Sequence, residues 1–360
     1  MAQTDRVTSY LDADGELAAE LPGFAEDSAT LVSLYRAMVL ARRFDEKAIA
    51  LQRTGRLGTY ASSLGQEAIS VGAAAAMRET DVFLPSFREH GGQLWRGVSA
   101  RELFLFWGGD ERGSDFAGPR EDFPVSIPVA SHFPHAAGVA LAFVLRGEPR
   151  AAVAIAGDGS TSKGDFYEAI NVAGVWKLPM VVVINNNQWA ISVRRADQTA
   201  ARTLADKAAA AGIAGEQVDG NDVIAVRARV EAALDKARKG QGPTLIEALS
   251  YRLGDHTTAD DASRYRDEEE VSPHWKEEPL ARLRNQLVSA HGWGKKDEEA
   301  LIEETTALIE AEAEAYLATA PAPATDMFDH LYAELPPELA RQREAAEARA
   351  RANPAEAGDG

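Results

Sequence analysis

The 360-residue sequence predicts an α/β protein: a doubly wound, mostly parallel sheet flanked by helices, with helical extensions at both ends. Two observations carry this expectation. Short apolar runs at 151–156, 180–184 and 244–249 are each bounded by Gly or Pro, as strands buried on both faces are. Helical patterns at 163–177 and 224–239 separate them, and strands joined by such helices lie parallel in a sheet covered on both sides.

The elements follow in chain order. Residues 1–28 form an irregular arm, closed by Pro22, Gly23 and the acidic pair Glu26-Asp27. A helix then starts with Ser28 as its N-cap, and Leu31, Leu34, Tyr35, Met38 and Val39 recur at helical spacing. A second helix covers 66–77, where Gly72 and Ala73 to Ala76 permit close packing. The segment 81–97 reads as strand or loop, then helix, and 108–126 as a long loop. After the central unit come a helix at 203–211, a strand at 215–218, the helix at 224–239 and the strand at 244–249. Residues 279–318, rich in Ala, Glu and Leu, are helical, and Phe328, Leu331 and Tyr332 give 327–335 a packing role. The chain thus divides into the arm 1–28, a domain 29–340 with helical flanks, and a polar, solvated tail 341–360.

Composition excludes several functions. The chain has no Cys, so disulfides, thiolate nucleophiles and Cys-held metals are ruled out. Its 38 basic against 56 acidic residues give a net charge of −18, which repels nucleic acid. It lacks an apolar run long enough for a membrane span, and its first residues do not read as a signal peptide. A cytoplasmic location is expected. No GxGxxG follows a strand, which argues against a nicotinamide-binding fold.

The chemistry sits in the first strand–helix–strand unit. Gly157-Asp158-Gly159 ends one strand and Asn185-Asn186-Asn187 the next, with Asn187 29 positions beyond Asp158. Parallel neighbours lie about 4.8 Å apart and open at one edge, so a carboxylate and a carboxamide there can reach one small cation. Both donate hard oxygen, which suits Mg²⁺ or Ca²⁺. The glycines let backbone amides approach phosphate oxygens. The unit reads as a metal–diphosphate anchor.

Here the sequence resembles a family. The stretch GDGSTSKGDFYEAINVAGVWKLPMVVVINNNQWAIS is similar to the alpha subunits of the decarboxylating first component of 2-oxo-acid dehydrogenase complexes. QRTGRLGTYASSLGQEA, FREHGG and YRLGDHTTADDASRYR extend the likeness over about 42–335. The resemblance implies a thiamine diphosphate-binding fold holding thiamine diphosphate and Mg²⁺. It assigns Asp158 and Asn187 to the metal through their side chains, and Trp189 through its carbonyl. Gly159 and Ser160 would give amides to the diphosphate, and Arg88 would pair with a phosphate. Phe87 stands where many relatives carry Tyr. Val129 matches the position whose backbone holds the aminopyrimidine. Ala130-Ser131-His132 departs from the usual Gly-Ala-Gln, and Asn185 replaces a common Gln, Glu or Arg.

His256, in Gly254-Asp255-His256-Thr257, is the catalytic candidate: its imidazole can give a proton or hold an anion near neutral pH, and in the family it lines the cofactor's reactive carbon. His90 either helps near the phosphates or is structural, and His132 and His135 read as packing residues.

In the resembling systems a glutamate that activates the cofactor belongs to a separate beta subunit, and this chain has room for one cofactor domain only. The expected assembly is therefore a two-alpha, two-beta heterotetramer, with 327–335 and 72–76 as interface candidates. The expected reaction is decarboxylation of a 2-oxo acid, followed by acyl transfer to the lipoyl domain of the dihydrolipoyl acyltransferase. The stretch 157–192 and AAGIAGEQVDGND point to pyruvate. Branched-chain 2-oxo acids, acetoin and a non-catalytic binding module are the alternatives.

Overall fold

The computed structural model describes residues 7–352. Residues 1–6 of the arm lie outside the described residues; 7–22 are irregular yet firmly attached, and Gly23–Glu26 form a 3-10 turn. Leu11 is buried, Thr8 bridges to Val218 at the sheet margin, and the buried Asp222 carboxylate accepts from the amides of Tyr10 (2.7 Å) and Leu11 (2.9 Å). Helix α1 (Ser28–Arg53) is capped one residue earlier than Ser28. The Asp27 carboxylate accepts from Ala29 and Thr30 amides because Asp27 keeps extended backbone angles while Ser28 is already helical. Helix α2 (Glu67–Ala75) follows. An added Cβ on Gly72 would come within 3.0 Å of Val223 O and Val226, and Ala73, Ala74 and Ala76 are buried. The small-residue face therefore serves internal helix packing, which corrects its assignment as a subunit interface.

Strand β1 (Val82–Leu84), helix α3 (His90–Arg96) and helix α4 (Ala100–Trp107, with a Ser99/Glu102 capping box) lead into the loop, broken only by a 3-10 turn at Glu111–Ser114. Helix α5 (His132–Arg146) is absent from the sequence reading. Pro134 obscures it, although a proline in the first turn removes only an amide that has no helical partner.

The central unit is β2 (Ala152–Gly157), α6 (Gly164–Val175) and β3 (Met180–Asn186). A two-strand hairpin, β4 (Trp189–Ala190) and β5 (Val193–Arg194), and the turn α7 (Arg195–Gln198) follow. Residues Ala205–Ala211 form a 3-10 run where an α-helix was expected. The run is pressed onto β6 (Ala214–Asp219), so closely that a Cβ on Gly215 would collide with Ala205 O. Helix α8 (Val223–Arg238) and β7 (Thr244–Leu249) complete the domain.

The five-stranded sheet is parallel throughout, in the order β1-β2-β3-β7-β6. Strand side chains alternate between its faces. Ala152, Ala154, Met180, Val182 and Ile184 pack with α5 and α6, while Val153, Ile155, Val181 and Val183 pack with α2 and α8. Both faces are buried at β2, β3 and β7, which is why these strands read as apolar runs, whereas the edge strand β6 is partly exposed.

Beyond β7, a helical turn α9 (Glu268–Val271) precedes α10 (Pro279–His291) and α11 (Lys295–Leu317), which pack on α1. In the next segment, with its turn α12 (Asp326–Asp329), only Phe328 of the expected packing residues is buried; Leu331 and Tyr332 are exposed. Helix α13 (Pro337–Ala352) crosses the 340/341 boundary and buries nothing, so the polar composition there marks a solvated helix. Among the described residues no helix is long and apolar enough to cross a membrane.

Candidate active site

Register delivers the motif residues to one edge. Gly157 pairs with Asn185 and Asn186 with Leu249, so β2, β3 and β7 all end at the same rim. The chain leaves β2 in a 3-10 turn, Asp158–Ser162, and leaves β3 through Asn187 into the hairpin. Turn and hairpin touch: a Cβ on Gly159 would lie 2.7 Å from Ala190 Cβ.

A cavity of about 430 Å³ opens there. Asp158, Gly159, Ser160, Asn187 and Trp189 line its floor, with Phe87, Arg88, Val129 and His256 around them. All nine residues singled out from the sequence thus meet in one space. Glu89, Ile127, Lys163 and Ile191 line it too and carried no assignment. A larger cavity of about 560 Å³ lies beyond Trp189, but charged groups on its wall pair with each other, Arg194 with Glu270 (2.7 Å) and Arg282 with Asp219 (2.5 Å), and His274 lies against Glu277 (3.4 Å).

The smaller cavity holds unbalanced charge of both signs. Asp158 is 1 % exposed, and burial pushes its carboxyl pKa up. Gln198 Nε2 donates to its Oδ2 (2.8 Å), and no ion pair compensates it among the described residues. Arg88 is buried too, at 7 % exposed, and makes no ion pair among the described residues; burial first, then the neighbouring Arg252, lower its pKa to about 10. Buried charges of this kind need counter-ions. A hard cation suits the first and an anion the second. The Asp158 carboxylate, the Asn187 carboxamide oxygen and the Trp189 carbonyl make a donor set suited to Mg²⁺, so the residues present fit the implied group. Backbone strain gathers here as well: Ala130 (φ 71°), Gln188 (φ 71°) and Ile191 (φ 54°) all lie at or beside the cavity wall.

His256 projects from the loop after β7. Its Nδ1 accepts from Arg88 Nη2 (3.2 Å) and Arg252 Nη1 (3.4 Å), and Phe87 meets its ring edge-on. Two guanidinium donors at Nδ1 place the ring proton on Nε2. Burial, then Arg88 and Arg252, lower the pKa to about 4. The imidazole is therefore neutral at pH 7. In that state it offers Nε2–H as a hydrogen-bond donor, which matches the anion-holding role among the two expected of it.

Arg252, beside His256, is a side chain to which the sequence reading gave no place. It is fully buried and holds Ile191 O (2.8 Å), Tyr265 Oη (2.6 Å) and Trp189 O (3.4 Å). Asp260 accepts from the His256 amide (2.8 Å) and Tyr265 Oη (2.5 Å), fixing the loop. Both lie inside the YRLGDHTTADDASRYR segment, so membership in that segment was the available signal.

Three other histidines make packing contacts or hydrogen bonds away from the cavity. His90 accepts from Trp107 Nε1 (3.0 Å), His132 donates to Ile155 O (2.9 Å), and His135 tilts on Phe123; none lines the cavity.

Comparison with known proteins gives the family. The family described as "Dehydrogenase E1 component" matches residues 35–324. A protein of Acholeplasma laidlawii named pyruvate dehydrogenase E1 component subunit alpha is 42 % identical over 321 residues, covering 88 % of this chain and 92 % of that one. Proteins of the same name from Staphylococcus aureus and Mycoplasma genitalium are 40 % and 39 % identical. The first covers 94 % of this chain and 92 % of its own length, the second 87 % of each.

Proposed function

Since the chain belongs to the dehydrogenase E1 component family, we propose that it acts as the alpha subunit of a pyruvate dehydrogenase, binding thiamine diphosphate and Mg²⁺ against a beta subunit in a heterotetramer. The observation that carries this reading is the cavity itself, where a buried uncompensated carboxylate and a buried uncompensated guanidinium face one space.

In this reading Asp158, Asn187 and the Trp189 carbonyl hold the cation. The amides of Gly159 and Ser160 and the fork of Arg88 receive the diphosphate. Val129, at the cavity wall, supports the aminopyrimidine through its backbone. When bound, the cofactor supplies the electron sink that decarboxylation of a 2-oxo acid requires. Ile127, Val129 and Ile191 are half-exposed apolar side chains at the mouth, suited to exclude water once a partner covers them. His256 presents Nε2–H to the cavity, where it orients the acyl group for transfer to a lipoyl domain of the acyltransferase.

The test is reconstitution with a beta subunit of the same component. Calorimetry should show binding of thiamine diphosphate that depends on Mg²⁺. Turnover with pyruvate should exceed that with 2-oxoisovalerate and acetoin. Absence of binding would favour a non-catalytic module, and full turnover by this chain alone would refute the shared site.

A further inference from the structure

Gln66 sits in the segment just before α2 and is buried. It does not line the cavity, and nothing above gives it a task. Its Oε1 accepts from two amides at once, Asn187 Nδ2 (2.8 Å) and Asn185 Nδ2 (3.0 Å).

The direction of this network follows from one backbone group. The Trp189 amide lies 3.2 Å from the Asn187 side chain, and an N–H can only donate. The Asn187 atom there must be Oδ1. Its Nδ2 therefore faces Gln66, and the Gln66 atom receiving it must be oxygen. Ser250 Oγ completes the set by donating to Asn185 Oδ1 (2.8 Å). Rotating Asn187 by half a turn would set its oxygen against Gln66 Oε1 and its amide nitrogen against the Trp189 N–H. Both contacts would be repulsive.

The arrangement leaves Gln66 Nε2 buried without a partner. Such a donor is destabilising. It persists because the opposite orientation would lose both hydrogen bonds that Oε1 accepts and set two amide nitrogens against a third.

From this we infer that Gln66 is a positioning residue. It holds the carboxamide of Asn187 in the one orientation that offers oxygen, not nitrogen, to a cation beside Asp158. The inference rests on the proposed metal anchor. Outer partners of metal ligands commonly set affinity by 10–100-fold.

The experiment uses the full chain with its beta subunit and thiamine diphosphate, titrated with Mn²⁺ by electron paramagnetic resonance. Gln66→Asn keeps the amide but withdraws the acceptor by one methylene. It should weaken Mn²⁺ roughly 10–100-fold. Activity at saturating metal should fall much less, so that the defect lies in the metal requirement. Gln66→Glu keeps an oxygen facing both Asn amides and should bind Mn²⁺ within about threefold of the parent. Equal behaviour of the two variants, whether both impaired or both unimpaired, would overturn the inference, and melting curves confirm that each is folded. Should Gln66→Asn fail to fold, Gln66→Glu alone decides, since a loss of Mn²⁺ affinity there contradicts the acceptor role and retention supports it. Asn187→Ala separates the two levels. Unchanged Mn²⁺ binding in that variant would sink the anchor, whereas its loss beside unaffected Gln66 variants would sink the positioning role alone.

Discussion

Substituting Gly159 by Ala tests how tightly the diphosphate turn is fitted to the hairpin. The new methyl carbon would lie 2.7 Å from Ala190 Cβ. Carbon atoms rest about 3.5–4.0 Å apart, so turn or hairpin must retreat by about 1 Å. Gly159 is not in the left-handed region, so the effect is steric rather than conformational. Ala190 follows Trp189 directly, and a retreating hairpin takes the Trp189 carbonyl with it. Mg²⁺ demands ligands at about 2.0–2.1 Å in near-octahedral array, which a shift of that size removes. We expect a loss of about 1–3 kcal/mol in stability from overpacking. Metal-dependent activity should fall on the order of 100-fold, as misplacements of about 1 Å do. Melting curves and Mn²⁺ titration of the reconstituted complex measure both. Gly164→Ala is the control, because nothing lies within 4 Å of its added Cβ and alanine favours the helix it enters. If Gly159→Ala bound Mn²⁺ as the parent does, the claim that turn and hairpin jointly shape the site would be wrong.

Three further outcomes follow from the same geometry. Asp158→Asn should abolish Mg²⁺-dependent cofactor binding yet raise the melting temperature of the isolated chain by about 2–4 °C, since it removes a buried charge without a counter-ion; a lowered melting point would contradict that charge balance. His256→Ala should reduce acylation of lipoyl groups about 100-fold or more while leaving cofactor affinity within a few-fold, and calorimetry beside a lipoyl assay separates the two. His90 is fully buried and its pKa is lowered to about 3, chiefly by burial. The unfolded chain therefore binds this proton more readily, so the contribution is complete above about pH 6.5 and drains away at up to about 1.4 kcal/mol per unit as pH falls towards 3. Against a His90→Gln variant, the stability difference should shrink on acidification over that window, and a difference independent of pH would refute the neutral buried imidazole.

Much of the fold was legible because its strands are buried on both sides. The runs at 180–184 and 244–249 have no other stable reading beside Gly and Pro boundaries, and β7 matches its expected span. The site was legible for a related reason: residues on consecutive parallel strands must emerge at one rim, so the sequence alone pairs Asp158 with Asn187. Other features depend on contacts that no local pattern encodes. Pro134 hid α5, since its place in a first turn is known only once the helix start is known. The run at Ala205–Ala211 has good α-helical composition but is compressed by β6. Gly72 to Ala76 looked available for a partner because small residues mark close packing without saying against what. The charge state of His256 depends on Arg88, 168 positions away in sequence, and the orientation of Asn187 on Gln66, 121 positions away.

The central claim concerns one cation held by two loops. The most direct measurement is a crystal structure of the alpha–beta complex grown with thiamine diphosphate and Mn²⁺, read through the anomalous signal of manganese. The account predicts a single strong peak about 2.1–2.3 Å from both an Asp158 carboxylate oxygen and Asn187 Oδ1, with the Trp189 carbonyl completing the protein ligands. A peak bound to only one of those side chains, or seated elsewhere in the complex, would contradict it.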